Sequence, residues 1–218
     1  MARAQAHGAP PAPVEPDRHL LSRLWERATD PQQVLSVRTE DAWQAVTWAQ
    51  LATRVRAVAA GLVASGLRPG DRVALMGAPS VQWTGADLGI LAAAGVTVPI
   101  YETSSAEQCA RILSNAGVRL ALVDAGDEPA ARIESARRKA PGLDGVLTLT
   151  DGLQELAGRA GGGDHAEVER RGAAISGQDL ATIVYTSGTT GVPKGCELTH
   201  QYTLSLHDAL PIYRKSVV

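Results

Sequence analysis

Residues 185–195 read Tyr-Thr-Ser-Gly-Thr-Thr-Gly-Val-Pro-Lys-Gly, a string that concentrates groups able to hold anionic oxygens. Thr186, Ser187, Thr189 and Thr190 supply hydroxyl donors, and Lys194 adds a full positive charge on a flexible stem. Gly188, Gly191 and Gly195 are expected to let the backbone reach φ > 0 and approach a ligand closely. Successive N–H groups in such a turn form a nest for an anion. At the end of a buried strand these residues suit a polyphosphate, because open α/β sheets bind ligands beyond the carboxyl ends of their strands. The G-x-x-x-x-G-K-[ST] phosphate loop does not fit: Pro193 precedes Lys194 and Gly195 follows it, so no helix starts at the lysine. Loops rich in glycine and hydroxyls are common on surfaces, so the glycines alone do not establish a site. The whole eleven-residue string argues against a chance surface loop.

The strand that delivers this turn is Leu180 to Tyr185, and the elements before it set its position. Val34 to Arg38 and Ala42 to Trp48 read as short strands with a charged turn between them. Thr47, three residues ahead of Gln50, has the spacing of a capping box. Leu51, Val55, Val58 and Leu62 then repeat on one helical face, and Gly66 and Pro69-Gly70 end the helix. Alternation follows. Strands are expected at 72–76, 96–101, 119–124 and 146–150, with helices at 79–94, 104–115 and 128–140. Ser104 and Glu107 are expected to cap the second of these helices. Apolar strands separated by helices imply a largely parallel sheet with helices on both faces, an α/β fold. Gly158 to Gln178, rich in glycine and charge, reads as a loop or linker.

Composition narrows the function. Twenty-one basic and 23 acidic side chains give a net charge of -2, which offers no broad basic field for nucleic acid. An anionic substrate therefore needs a local site. The two cysteines, Cys109 and Cys196, make neither a disulfide framework nor a metal site. The uncharged run Leu88 to Tyr101 is shorter than the roughly 20 residues a membrane span requires. A cytoplasmic protein is expected, with room for peripheral membrane contact. Met1 to Asp17, with four prolines and no periodicity, is expected to be a disordered leader. His200 lies close to the turn but has no visible base–nucleophile partner, and is read as structural. His165 is read as solvated, and Trp25, Trp43, Trp48 and Trp83 as packing residues.

The string from Tyr185 to Gly195 resembles the signature loop of the adenylate-forming superfamily, which includes acyl-CoA synthetases, luciferases and the adenylation domains of peptide synthetases. A second string, Val98-Pro99-Ile100-Tyr101-Glu102-Thr103-Ser104-Ser105-Ala106-Glu107-Gln108, is similar to the matching stretch of bacterial long-chain fatty acyl-CoA synthetases. Residues 18–202 are thus identified as the N-terminal part of the large domain of such an enzyme.

The resemblance implies a ligase with three small-molecule substrates: ATP, a long-chain fatty acid and coenzyme A. It implies that Thr186, Ser187, Gly188, Thr189, Thr190, Gly191 and Lys194 embrace the β- and γ-phosphates, with Lys194 stabilising charge on the departing pyrophosphate. Mg²⁺ is implied as well, held by a carboxylate from a downstream motif that this sequence lacks; no metal ligand is expected among its residues. In the family the ribose-gripping Asp and a C-terminal Lys also follow the loop, so the 218 residues are expected to be inactive alone. Residues 203–218 depart from the family, and Thr203 to Ile212 is similar to a peptide translated from sequencing-adaptor DNA, so an artificial tail is expected there. Two other readings remain open: an adenylation domain that loads a carrier protein, and a non-catalytic fragment.

Overall fold

The computed structural model describes residues 18–38, 42–187 and 193–209. A short helix α1 (Ser22–Glu26) leads into β1 (Gln33–Arg38), which pairs antiparallel with β2 (Trp43–Thr47) as a separate two-stranded sheet. The charged turn expected between them, residues 39–41, lies outside the described residues. Thr47 then caps α2 (Trp48–Ala64). Its Oγ1 accepts from Gln50 N at 3.2 Å, and its own N–H donates to Gln50 Oε1 at 2.9 Å. Both orphan donors are satisfied as the sequence predicts. The face bearing Leu51, Val55, Val58 and Leu62 is buried.

From there strand and helix alternate: β3 (Arg72–Met76), α3 (Val81–Ala92), β4 (Val96–Ile100), α4 (Ala106–Ala116), β5 (Val118–Val123), α5 (Asp127–Arg137) and β6 (Gly145–Thr148). Two helices follow in succession, α6 (Asp151–Arg159) and α7 (Gly162–Ala174). The series ends with β7 (Leu180–Ser187), β8 (Pro193–Thr199) and α8 (His200–Ala209). The main sheet has the order β6-β5-β3-β4-β7-β8, parallel except where β8 folds back on β7 at the edge.

Alternation along the strands splits the core in two, because neighbouring side chains point to opposite faces. Val73 and Leu75 face α2, α3, α6 and α7, while Ala74 and Met76 face α4 and α5. The sheet is therefore covered on both sides.

Three expectations need correction. The stretch 158–178 is not a linker, because it holds α7 and the end of α6. Asp164 accepts from Gly161 N–H at 2.8 Å and starts α7, Val168 is buried against α2, and Arg171 Nη1 donates to Leu67 O and Ala93 O, both at 2.9 Å. Those two carbonyls lie at and beyond helix ends, where such groups lack intrahelical partners. Glu167 holds Arg171 in place, and its ion pairs with Arg170 and Arg171 lower its carboxyl pKa to about 2. The cap of α4 is Ser105 with Gln108, one residue beyond Ser104 and Glu107. Finally, Gly195 is not a φ > 0 position but lies in β8.

The end of α3 carries a strained residue. Gly95 N–H donates to Ile90 O at 2.8 Å and Ala94 N–H to Leu91 O at 2.9 Å. This is the Schellman arrangement, which favours glycine in the left-handed position. Here that position is Ala94, at φ 59°. Ala94→Gly is expected to raise stability by about 0.5–1 kcal/mol, measured as a higher urea midpoint with an unchanged slope.

Among the described residues no helix is long and apolar enough to cross a membrane. Trp25 and Trp48 lie against the guanidinium groups of Arg56 and Arg27, at 4.8 and 5.5 Å, as packing residues. His165 is exposed on α7 rather than in a loop.

Candidate functional site

The carboxyl ends of β4 and β7 stand side by side, and both motifs singled out in the sequence meet there. Among the described residues, β4 and β7 share one registered pair, Thr97 with Thr182. Thr182 Oγ1 reinforces it by donating to Thr97 O at 2.9 Å, and Thr97 Oγ1 donates to Asp87 Oδ1 of α3 at 2.7 Å. Burial pushes the Asp87 carboxyl above its usual range, against the opposing effect of the Thr97 hydrogen bond. Beyond this pair lies a cleft of about 340 Å³ lined by Tyr101, Thr103, Ser104, Gln108, Ile112, Tyr185 and Thr186.

One wall of the cleft is the loop between β4 and α4. Ser105 and Gln108 cap α4 reciprocally, at 2.8 and 3.2 Å. From α5, Arg132 Nη1 donates to Ser104 O at 3.0 Å and to Glu102 O, while its Nη2 pairs with Glu128. The guanidinium thus holds two loop carbonyls at once, which fixes the backbone of the wall.

The other wall is the β7–β8 hairpin. Tyr185 is 6% exposed, and its hydroxyl donates to Asn115 Oδ1 of α4 at 2.5 Å. Burial, and secondarily the charge of Glu197, raise its pKa, so it remains a neutral donor. Gly195 stands opposite Tyr185, and a Cβ there would lie 3.0 Å from Tyr185 Cζ. A side chain at 195 would crowd the Tyr185 ring and Ile183, which would have to give by a few tenths of an ångström.

Thr186 is paired with Lys194, and Ser187 with Pro193. Side chains directly opposite in an antiparallel pair lie on one face, with Cβ atoms roughly 5 Å apart. The structure therefore brings the hydroxyl of Thr186 beside the stem of Lys194, both exposed. Gly188, Thr189, Thr190 and Gly191 lie outside the described residues. Cys196 is exposed on β8 and Cys109 is buried on α4, where burial raises its thiol pKa. His200 is buried at the start of α8 and is not among the residues that line the cleft. Among the described residues no three His, Cys, Asp or Glu side chains gather to hold a metal ion.

Sequence reasoning missed two contributors, Asn115 and Arg132. Both act on residues far away in the chain, and neither sits in a motif.

A mostly parallel, doubly covered sheet with a cleft beyond its carboxyl ends is the architecture of a ligand-binding α/β protein. The chain belongs to the AMP-binding enzyme family, whose model matches residues 24–216. It is 38% identical over 197 residues to the long-chain-fatty-acid–CoA ligase FadD15 of Mycobacterium bovis, covering 87% of this chain and 33% of that protein. It is 37% identical over 155 residues to the phenyloxazoline synthase MbtB of a Mycobacterium species, covering 71% of this chain and 12% of the synthase.

Among solved structures, the inhibitor-bound N-terminal domain of FACL13 from Mycobacterium tuberculosis superposes with a TM-score of 0.68 at 29% identity, over 84% of this chain and 44% of that one. A fatty acyl-adenylate ligase from L. pneumophila, in complex with acyl adenylate and pyrophosphate, gives 0.64 at 26% identity, over 84% and 30% of the two chains. The chain thus spans about a third of the length of the FadD15 relatives.

Proposed function

We propose that this segment supplies the phosphate-gripping hairpin of an ATP-dependent ligase that activates a long-chain fatty acid and passes it to coenzyme A. The observation that carries the reading is the pairing of Thr186 with Lys194 at the rim of the cleft, within a chain 38% identical to a fatty-acid–CoA ligase. In the first step a carboxylate oxygen forms a bond to the α-phosphorus of ATP as the bond from that phosphorus to the bridging oxygen breaks. Pyrophosphate leaves with the electron pair. Lys194, with the hydroxyls of Thr186, Ser187, Thr189 and Thr190 and the amides of Gly188 and Gly191, offsets the charge that grows on the leaving group. In the second step the coenzyme A thiol, losing its proton, attacks the acyl carbonyl and AMP departs. Mg²⁺ would neutralise phosphate charge, through ligands other than the described residues.

The experiment is ATP–pyrophosphate exchange with palmitate, in a protein of the relatives' length that carries this segment. Palmitate-dependent exchange is expected, and acyl-CoA should accumulate once coenzyme A is added. Absence of exchange with any fatty acid, in a protein shown to be folded, rules the reading out. The likeness to MbtB favours a second reading, transfer to a carrier protein. Exchange that proceeds while coenzyme A yields no thioester would select it.

A further inference from the structure

The N-terminal arm is fastened to the rest of the molecule at His200. This residue opens α8 directly after Thr199, the last residue of β8, and is 2% exposed. Its Nδ1 accepts from Leu20 N–H at 3.4 Å, joining points 180 positions apart in the chain, and its own N–H donates to Asp179 O at 3.0 Å. His19 meets the His200 ring edge-on, with centroids 6.0 Å apart, and His19 Nδ1 is buried with no hydrogen-bond partner among the described residues. Leu21 and Leu24 anchor the arm in the larger core.

We propose that His19 and His200 form an acid-released clasp holding the arm, residues 18–26, against the start of α8 and so against the strand that carries Lys194. A neutral imidazole accepts at one nitrogen only when the other bears the proton, so His200 is the Nε2–H tautomer. Protonation turns Nδ1 from acceptor to donor, and it then faces another donor, Leu20 N–H. The bond is lost and a cation is left in a buried site beside a second imidazole.

The titratable or charged groups acting on His200 are His19 from the arm and Asp179 from the turn before β7. Burial and then His19 lower its pKa, Asp179 works in the other direction, and the net effect is a value of about 4. Burial also lowers the pKa of His19. The clasped pKa lies below the ordinary 6.5, so the released arm binds more protons between the two values. The clasp is therefore fully held above pH 6.5 and weakens as pH falls towards 4. With these values the ratio of released to clasped arm rises about thirtyfold from pH 7.5 to pH 5.0.

Hydrogen exchange followed by mass spectrometry on the full chain, corrected for intrinsic rates, tests this without reference to the reaction. Protection of a peptide spanning residues 20–26 is expected to drop about thirtyfold at pH 5.0 relative to pH 7.5, with a much smaller change in α2. His200→Gln keeps a carbonyl that can accept from Leu20 N–H but cannot take up a proton, and should abolish the difference. If that variant does not fold, ¹⁵N shifts of the wild-type histidines decide: His200 must be the Nε2–H tautomer at pH 7.5 and must titrate together with release of the arm. Equal protection at the two pH values, or release with His200 still neutral, overturns the proposal.

Discussion

Lys194→Ala, made in a full-length ligase carrying this segment, is expected to lower the rate of adenylation on the order of a hundredfold and leave fatty-acid binding nearly unchanged. What matters is where the charge is needed. Before reaction the triphosphate charge is spread over all three groups, and any cation nearby helps it bind. During reaction negative charge builds on the bridging oxygen and the departing pyrophosphate, and a cation already fixed beside those atoms stabilises the transition state more than the ground state. β8 anchors the backbone of Lys194 opposite Thr186, and Tyr185 ties the hairpin to α4, so the exposed lysine stem starts from a held position. Removing one donor aimed at developing charge typically lowers kcat by about 10²–10³. Pre-steady-state formation of the acyl-adenylate measures the effect, and fatty-acid affinity measured separately gives the control. An unchanged adenylation rate would remove Lys194 from the mechanism.

Gly61→Ala is expected to destabilise the fold by about 3 kcal/mol, the upper part of the usual range for forcing extra volume into a packed core. Helix α2 crosses α6 at this glycine. A Cβ there would lie 2.2 Å from Leu156 O, 2.3 Å from Leu156 C and 2.9 Å from Ala157 N, all backbone atoms. No rotamer change relieves such a clash, so the helices must separate and the contacts of Leu62 and Leu156 loosen. Gly158→Ala makes the matched control. It lies on exposed α6 surface with nothing within 4 Å of its would-be Cβ, and should gain about 0.5–1 kcal/mol from helix propensity alone. Urea unfolding of the two variants should therefore move in opposite directions. A Gly61→Ala protein as stable as the wild type would mean that α2 and α6 do not cross here.

Local signals were readable in the sequence and distant ones were not. The apolar run at 72–76 matches β3 residue for residue, and the Thr47–Gln50 box starts α2 as expected, because both depend on neighbours within a turn. The second box failed through competition. Ser104 and Ser105 each precede a capable partner by three residues, and the choice falls to Ser105, which turns Cys109, Ile112, Leu113 and Ala116 towards the sheet. Helix α7 was hidden because three glycines open it and charge dominates its composition. Its single buried valine and the reach of Arg171 to two carbonyls have no signature in one sequence. At the site, the hydroxyls and the lysine were legible by type. The link from Tyr185 to Asn115 spans 70 positions and Arg132 reaches back 28 positions to Ser104, so both had to be seen in the structure.

Among the described residues, registered pairs run along the hairpin from Leu180–Thr199 to Ser187–Pro193, whereas Thr97–Thr182 is the one registered pair that joins it to β4. Side-chain bonds supplement that pair, from Thr182 to Thr97 of β4 and from Tyr185 to Asn115 of α4. Because Tyr185 belongs to one wall of the cleft and α4 lines the other, its bond to Asn115 sets the two walls against each other as one unit.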